Sequence, residues 1–243
     1  MGRVAYKPTW ILQERIKERL VQAKKQGEIL PHVLLLLEHP PVYTMGKSGQ
    51  ANHMLLDARA RAQHGVEFYY IDRGGDITYH GPGQLVAYFL LDLDRFYRDL
   101  HRFMRDLEET VIRTLAEHEL SGFRVAKRTG VWVGARNYER KICAFGIRSS
   151  RWVTMHGLAL NVDPELGFFD HIVPCGIEDR GVTSMVRELN RSVSLDAVSL
   201  QLVRHFSEVF GATTRTLGMD QAYTFLASVF ESPHLRSALH PGP

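Results

Sequence analysis

The stretch from Arg73 to Gln84, Arg-Gly-Gly-Asp-Ile-Thr-Tyr-His-Gly-Pro-Gly-Gln, constrains this chain more than any other. It holds four glycines, a proline and a histidine, and it separates two apolar runs. Val66, Phe68, Tyr69, Tyr70 and Ile71 before it and Leu85 to Leu91 after it read as strands, the second buried on both faces. Glycine opens positive φ to the backbone and lets a ligand come close. Pro82 fixes φ and removes one donor. Ordering such a segment costs conformational entropy, and a ligand site is a physical reason for it. On these residues alone a glycine-rich hairpin turn is the competing reading.

The flanking sequence fills in an α/β pattern. Thr9 is placed to cap a helix running to about Gln26, with Leu12, Ile16 and Leu20 on one face and Gly27 ending it. Val33 to Leu37 reads as a buried strand closed by Glu38-His39-Pro40-Pro41, and Val42 to Met45 as a short strand. Leu100 to His118 has helical spacing, with Phe103, Leu107, Val111 and Leu115 on one face and Gly122 just beyond. Val131 to Val133, Ile142 to Ile147 and Trp152 to Val162 are short strand-like runs. Leu195 to Phe210 and Gln221 to Phe230 read as helices. The 243 residues show no repeat and no low-complexity linker. The expectation is one α/β domain over residues 1–231 with a mixed or antiparallel sheet, followed by a flexible tail at 232–243.

Composition narrows the function. The longest apolar run, Leu85 to Leu91, is too short to cross a bilayer, and Met1 to Trp10 lacks a signal-length apolar stretch. Two cysteines, Cys143 and Cys175, make no disulfide framework and fit a reducing cytoplasm. A net charge of +3 is too weak alone to argue for nucleic acid and is compatible with docking an acidic protein partner. Lys127, Arg128, Arg136, Arg140, Arg148 and Arg151 make the middle basic, either a solvated face or a docking surface. Metal-ligand spacing is lacking. Gly46-Lys47-Ser48 is not a phosphate loop, because Pro41 stands where its first glycine belongs.

Cys175, between Pro174 and Gly176, is either a small buried hydrophobe or a thiolate nucleophile. The second role needs a base or cation nearby. His80, Lys141, His156 and His171 are candidates for that partner. Lys141 opens the run Lys141 to Ile147, where a lysine normally just reaches solvent; desolvated, it can act as a base or stabilise a thiolate. Strand alternation puts Lys141 on the same face as Cys143, so spacing nominates Cys143 as its partner and the residues alone leave the nucleophile open.

Several motifs occur in order: Glu38-His39-Pro40-Pro41-Val42-Tyr43-Thr44, the Arg73–Gln84 segment, Gly130-Val131-Trp132-Val133, Lys141 with Ala144-Phe145-Gly146-Ile147, His156-Gly157-Leu158-Ala159-Leu160-Asn161, and Pro174-Cys175-Gly176-Ile177. Together they resemble the lipoyl(octanoyl) transferase family over roughly Leu34 to Leu189. The resemblance implies an α/β (α+β) fold similar to the catalytic domain of biotin and lipoate protein ligases, a mixed sheet flanked by helices. It implies octanoyl transfer from octanoyl-acyl carrier protein to a lysine of lipoyl domains, those of 2-oxoacid dehydrogenases and the glycine cleavage H protein, through an acyl-cysteine. It assigns the nucleophile to Cys175 and the lowering of its pKa to Lys141. The acyl pocket falls to Arg73, Gly74, Gly75, Asp76, Ile77, Thr78, Tyr79 and His80, to Ala144, Phe145 and Gly146, and to Gly157, Leu158 and Ala159. Glycines without side chains would leave room for the chain. No cofactor, metal, nucleic acid or membrane is implied. The rival readings are an ATP-dependent lipoate or biotin-type ligase, a non-catalytic module binding lipoyl domains or carrier protein, and a cysteine hydrolase.

Overall fold

The computed structural model describes residues 2–173 and 181–230. The tail read at 232–243 lies outside the described residues, and so does Cys175.

Two sheets organise these residues. The larger has six strands in the order β1-β5-β9-β8-β7-β6, all antiparallel: β1 (Val33–Leu37), β5 (Gln84–Leu90), β9 (Val153–Asn161), β8 (Arg140–Ser150), β7 (Arg128–Val133) and β6 (Phe123–Val125). The smaller has the order β3-β2-β4, with β2 (Val42–Met45) parallel to β3 (Glu67–Tyr70) and antiparallel to β4 (Ile77–His80).

Helices cover both faces of the large sheet. On one side α3 (Leu100–Ala116) and α5 (Leu195–Phe210) bury Phe103, Leu107, Val111, Leu202 and Phe206 against Phe89, Val131, Ile142 and Leu160. On the other, α1 (Tyr6–Lys25) and α6 (Met219–Phe230) bury Leu12, Ile16, Leu20, Leu226 and Phe230 against Val33, Leu35, Val86 and Leu90. With both faces covered, all seven residues of β5 are buried, which is why its sequence from Leu85 on is an unbroken apolar run. Each fully buried Leu, Ile, Val or Phe contributes about 1.5–3 kcal/mol. Short helices α2 (Ala58–Gln63) and α4 (Met185–Leu189) and three 3-10 turns, at Ala51–His53, Leu93–Arg95 and Leu166–His171, complete the described elements.

Local chemistry sets the boundaries. Asp99 and Ser194 cap α3 and α5, accepting from the amides of Arg102 and Ala197. Thr9 does not cap α1. The helix starts three residues earlier, and the Thr9 hydroxyl donates to the Ala5 carbonyl from inside it. Pro8 sits in that first turn, where its missing N–H has no partner to lose. The glycine segment also departs from a simple loop. Ile77–His80 is strand β4, paired with β2 in the register Tyr43 to Tyr79.

Candidate active site

A cavity of about 510 Å³ opens between the glycine segment, α1 and the strands β8 and β9. Its rim carries the exposed residues Gly74, Gly75, Leu100, Lys127 and Thr129. Its inner end is made by the buried residues Tyr6, His80, Gln84, Tyr88 and His156. Arg73, Gly74, Gly75, Asp76, Ile77, Thr78 and His80 line it. So do Lys141, Ala144, Phe145, Gly146, Gly157, Leu158 and Ala159. Tyr79 does not. Its ring stacks on Phe168 at 4.7 Å in the aromatic cluster of the small sheet, because strand alternation within β4 turns Tyr79 away from His80.

The glycine segment is braced from behind by Gly46-Lys47-Ser48. Their amides donate to the carbonyls of Asp76, Arg73 and Gly75. Asp76 accepts from His53 Nδ1 at 2.6 Å and from the Ile77 amide. Arg73 is buried and donates to the Thr44 carbonyl (2.7 Å), the Thr44 hydroxyl (3.1 Å) and the Gly74 carbonyl (3.0 Å). Gly75 needs a glycine, since its φ is +87°.

The space left by the missing side chains at Gly146 and Gly157 is taken by protein atoms. A Cβ on Gly146 would stand 2.8 Å from Arg73 Cδ, and one on Gly157 would stand 1.8 Å from the Ala87 carbonyl oxygen. Ala144 and Ala159, paired across β8 and β9, are the small side chains beside them in the cavity wall.

Lys141 enters this cavity through a bulge. Val131 pairs with Cys143 but Trp132 pairs with Lys141, so β8 carries one extra residue there. The extra residue breaks the alternation that would put Lys141 and Cys143 on one face. Lys141 lines the cavity, whereas Cys143 is fully buried in the α3/α5 core. Burial pushes the Cys143 thiol well above the ordinary cysteine range. Lys141 Nζ lies 4.8 Å from the Trp132 ring centroid. Gly130 makes room for it: a Cβ there would meet Lys141 Cε at 3.2 Å. The Gly130 amide donates to Glu108, a fully buried carboxylate on α3 that also pairs with Arg105 and Arg124. Trp132, Gly130 and Glu108 carried no functional signal that sequence reasoning used, although Gly130 and Trp132 lie in a motif it quoted.

Of the histidines weighed as partners of a thiol, His80 and His156 line the cavity and His171 does not. His156 pairs with Ile147, six residues along β8 from Lys141, or about 20 Å. Its φ is +63°, unusual for a non-glycine in a strand. Its amide donates to Gln13, and its Nε2 donates to Asp72 at 3.2 Å. Burial, then Arg73, pushes its pKa down to about 3; burial, then His39, does the same for His80. Both rings are therefore neutral at pH 7. The Gln84 amide nitrogen donates to Tyr79 and Asn161, so its oxygen must accept from His80 Nδ1–H, which leaves Nε2 of His80 as an acceptor.

The described flanks of the segment carrying Cys175 are tied to two residues that line this cavity, Asp76 through His53 and Lys141 directly. Val173 donates its amide to the carbonyl of His53, the residue bonded to Asp76. Gly181 accepts from the Lys141 amide, and Thr183 donates to the Lys141 carbonyl. The basic residues of the middle divide. Lys127 and Arg128 line the cavity, while Arg140 is bound by Glu188 and Arg148 by Asp72. Among the described residues no helix is long and apolar enough to cross a membrane.

Residues 10–207 match the family model of the lipoyl protein ligase A/B catalytic domain. The chain is 46% identical over 221 residues to an octanoyltransferase of Flavobacterium psychrophilum, covering 88% of this chain and 95% of that protein. It is 48% identical over 220 residues to an octanoyltransferase of Christiangramia forsetii, covering 87% and 94%. Its fold is similar to that of a bipartite lipoate protein ligase from Thermoplasma acidophilum, with a TM-score of 0.66 at 17% identity over 100% of this chain and 97% of that one. It is similar as well to lipoate-protein ligase A bound with ATP, with a TM-score of 0.66 at 17% identity over 98% and 99%. The chain therefore belongs to the lipoyl protein ligase A/B catalytic domain family and stands among its octanoyltransferases.

Proposed function

We propose that the protein takes an octanoyl group from the thioester of octanoyl-acyl carrier protein and delivers it to the ε-amine of a lysine on a lipoyl domain, with Cys175 as the acylated residue. The observation that carries this reading is the anchoring just described. On one side of the segment containing Cys175, Val173 bonds to His53, which holds Asp76 of the cavity wall, and on the other side Gly181 is hydrogen-bonded to Lys141. In the first half-reaction the Cys175 thiolate forms a bond to the thioester carbonyl carbon as the carrier's thiolate leaves, and that thiolate takes the proton of the Lys141 ammonium, which leaves Lys141 neutral. In the second the acceptor amine forms the amide bond, the Cys175 thiolate leaves, and the amine's proton passes to neutral Lys141.

Lys141 as ammonium favours the thiolate, and backbone amides of the glycine segment are donors for the oxyanion. The cavity walls at Arg73 to Thr78 and His80, Ala144 to Gly146 and Gly157 to Ala159 hold the acyl chain. Burying its methylenes supplies on the order of 5 kcal/mol. The acceptors are the lipoyl domains of 2-oxoacid dehydrogenases and the glycine cleavage H protein, met in the cytoplasm.

Alkylation of Cys175 tests the dyad. In the wild type it should proceed well below about pH 8.5, the reference for a free cysteine, and Lys141→Met should move its midpoint upward. An unchanged midpoint in that variant would remove Lys141 from this role.

A further inference from the structure

Thr183 is fully buried, and each of its three polar atoms has a separate partner. Its amide donates to the Lys141 carbonyl at 3.0 Å. Its carbonyl accepts from Asn161 Nδ2 at 2.9 Å, and its hydroxyl donates to Glu188 Oε1 at 2.6 Å. Those partners are themselves held. Glu188 is gripped by both donors of the Arg140 fork at 2.8 Å, and Arg140 directly precedes Lys141. Asn161 Oδ1 accepts from Gln84, which in turn accepts from His80 at the inner end of the cavity. Thr183 thus joins three elements, β8, β9 and α4, at the point where the chain settles against the lysine.

The chemistry of transfer makes this junction matter. Lys141 sits on a bulge, and a bulge lacks the regular ladder that would otherwise fix its backbone. Its amide and carbonyl are instead held by Gly181 and Thr183. The bonds that fix Thr183 therefore also fix the direction in which the lysine side chain leaves β8.

We infer that Thr183 is a positioning residue for acyl transfer, holding Lys141 at its working angle through the clamp formed with Glu188 and Asn161. This rests on the reading of Lys141 and Cys175 given above. A residue of merely structural value would lower stability and leave the reactivity of the thiol alone. A positioning residue changes the step that Lys141 serves.

The test uses Thr183→Val, which keeps the side chain's shape and removes only the hydroxyl, with Thr183→Ser as the conservative restoration. Octanoyl transfer from octanoyl-carrier protein to a lipoyl domain is measured for both, together with the pH profile of Cys175 alkylation. In Thr183→Val, kcat should fall about tenfold, as for loss of a hydrogen bond to a charged group, with KM for the donor unchanged. The alkylation midpoint should move upward, and Thr183→Ser should recover both. In a Lys141→Met background Thr183→Val should cause no further loss, because the group it positions is gone. Glu188→Gln keeps an acceptor for the hydroxyl but weakens the Arg140 grip, and it should show a smaller change of the same kind should Thr183→Val not fold. A lowered melting temperature with unchanged kcat and alkylation profile would overturn the inference, and so would a full additional loss in the Lys141→Met background. If Lys141→Met itself were fully active, the dyad reading would fall, and the inference with it.

Discussion

Arg73 lies flat across Gly146, and the glycine is what lets it. A Cβ at 146 would meet Arg73 Cδ at 2.8 Å and the Gly74 carbonyl oxygen at 2.9 Å. Gly146→Ala should therefore push the Arg73 side chain and the glycine segment off β8. A cost of about 1–3 kcal/mol is expected from overpacking. KM for an octanoyl donor should rise more than KM for an acetyl donor, since the longer chain uses more of the wall. Equal effects on both donors would separate Arg73 from the acyl groove.

Three neutral histidines make stability depend on acid. His39, His80 and His156 are buried, and burial pushes their pKa values down to about 4, 3 and 3. In the unfolded chain each titrates near 6.5. Between those values the unfolded state binds more protons, so stability present at neutral pH is lost as pH falls below about 6.5. At pH 5 the loss should be about 2 kcal/mol per histidine. Urea unfolding at pH 7 and pH 5 measures it. His39→Gln should flatten the dependence; a wild type equally stable at both values would contradict the neutral assignment.

Much of this was legible in the sequence, and the misses share a cause. Val33 to Leu37, Val42 to Met45 and Leu195 to Phe210 were read with the bounds they have, because each is a local pattern with local punctuation. The strand inside the glycine segment was not, since Ile77–His80 is short and its partner β2 is more than thirty residues back in the chain. Alternation paired Lys141 with Cys143, and only the cross-strand register reveals the bulge that separates them. The glycines were read as open space for a ligand, yet at 146 and 157 the neighbours that fill it, Arg73 and Ala87, are brought by tertiary packing. The residues that the family motifs named line one cavity, apart from Tyr79 and from Cys175, which lies outside the described residues. The clamp at Thr183 had no sequence signal, because its partners come from three elements.

A thioester donor is already activated, so transfer should need neither ATP nor a metal. The fold is shared with lipoate-protein ligase A bound with ATP, which makes the question a sharp one. Activity should survive EDTA and enzymatic removal of nucleotide, and double-reciprocal plots for donor and acceptor should be parallel. Strict dependence on ATP and magnesium would instead indicate a ligase.

The central claim is that the acyl group rests on Cys175 during transfer. Its most direct test is intact mass after mixing with octanoyl-carrier protein, in the wild type, Cys143→Ser and Cys175→Ser. Cys143 is sealed in the α3/α5 core with its thiol held protonated, so its loss should not matter. The wild type and Cys143→Ser should each gain one octanoyl group, and addition of a lipoyl domain should remove it. Cys175→Ser should gain none. An octanoyl adduct in Cys175→Ser, or one that disappears only in Cys143→Ser, would contradict the account.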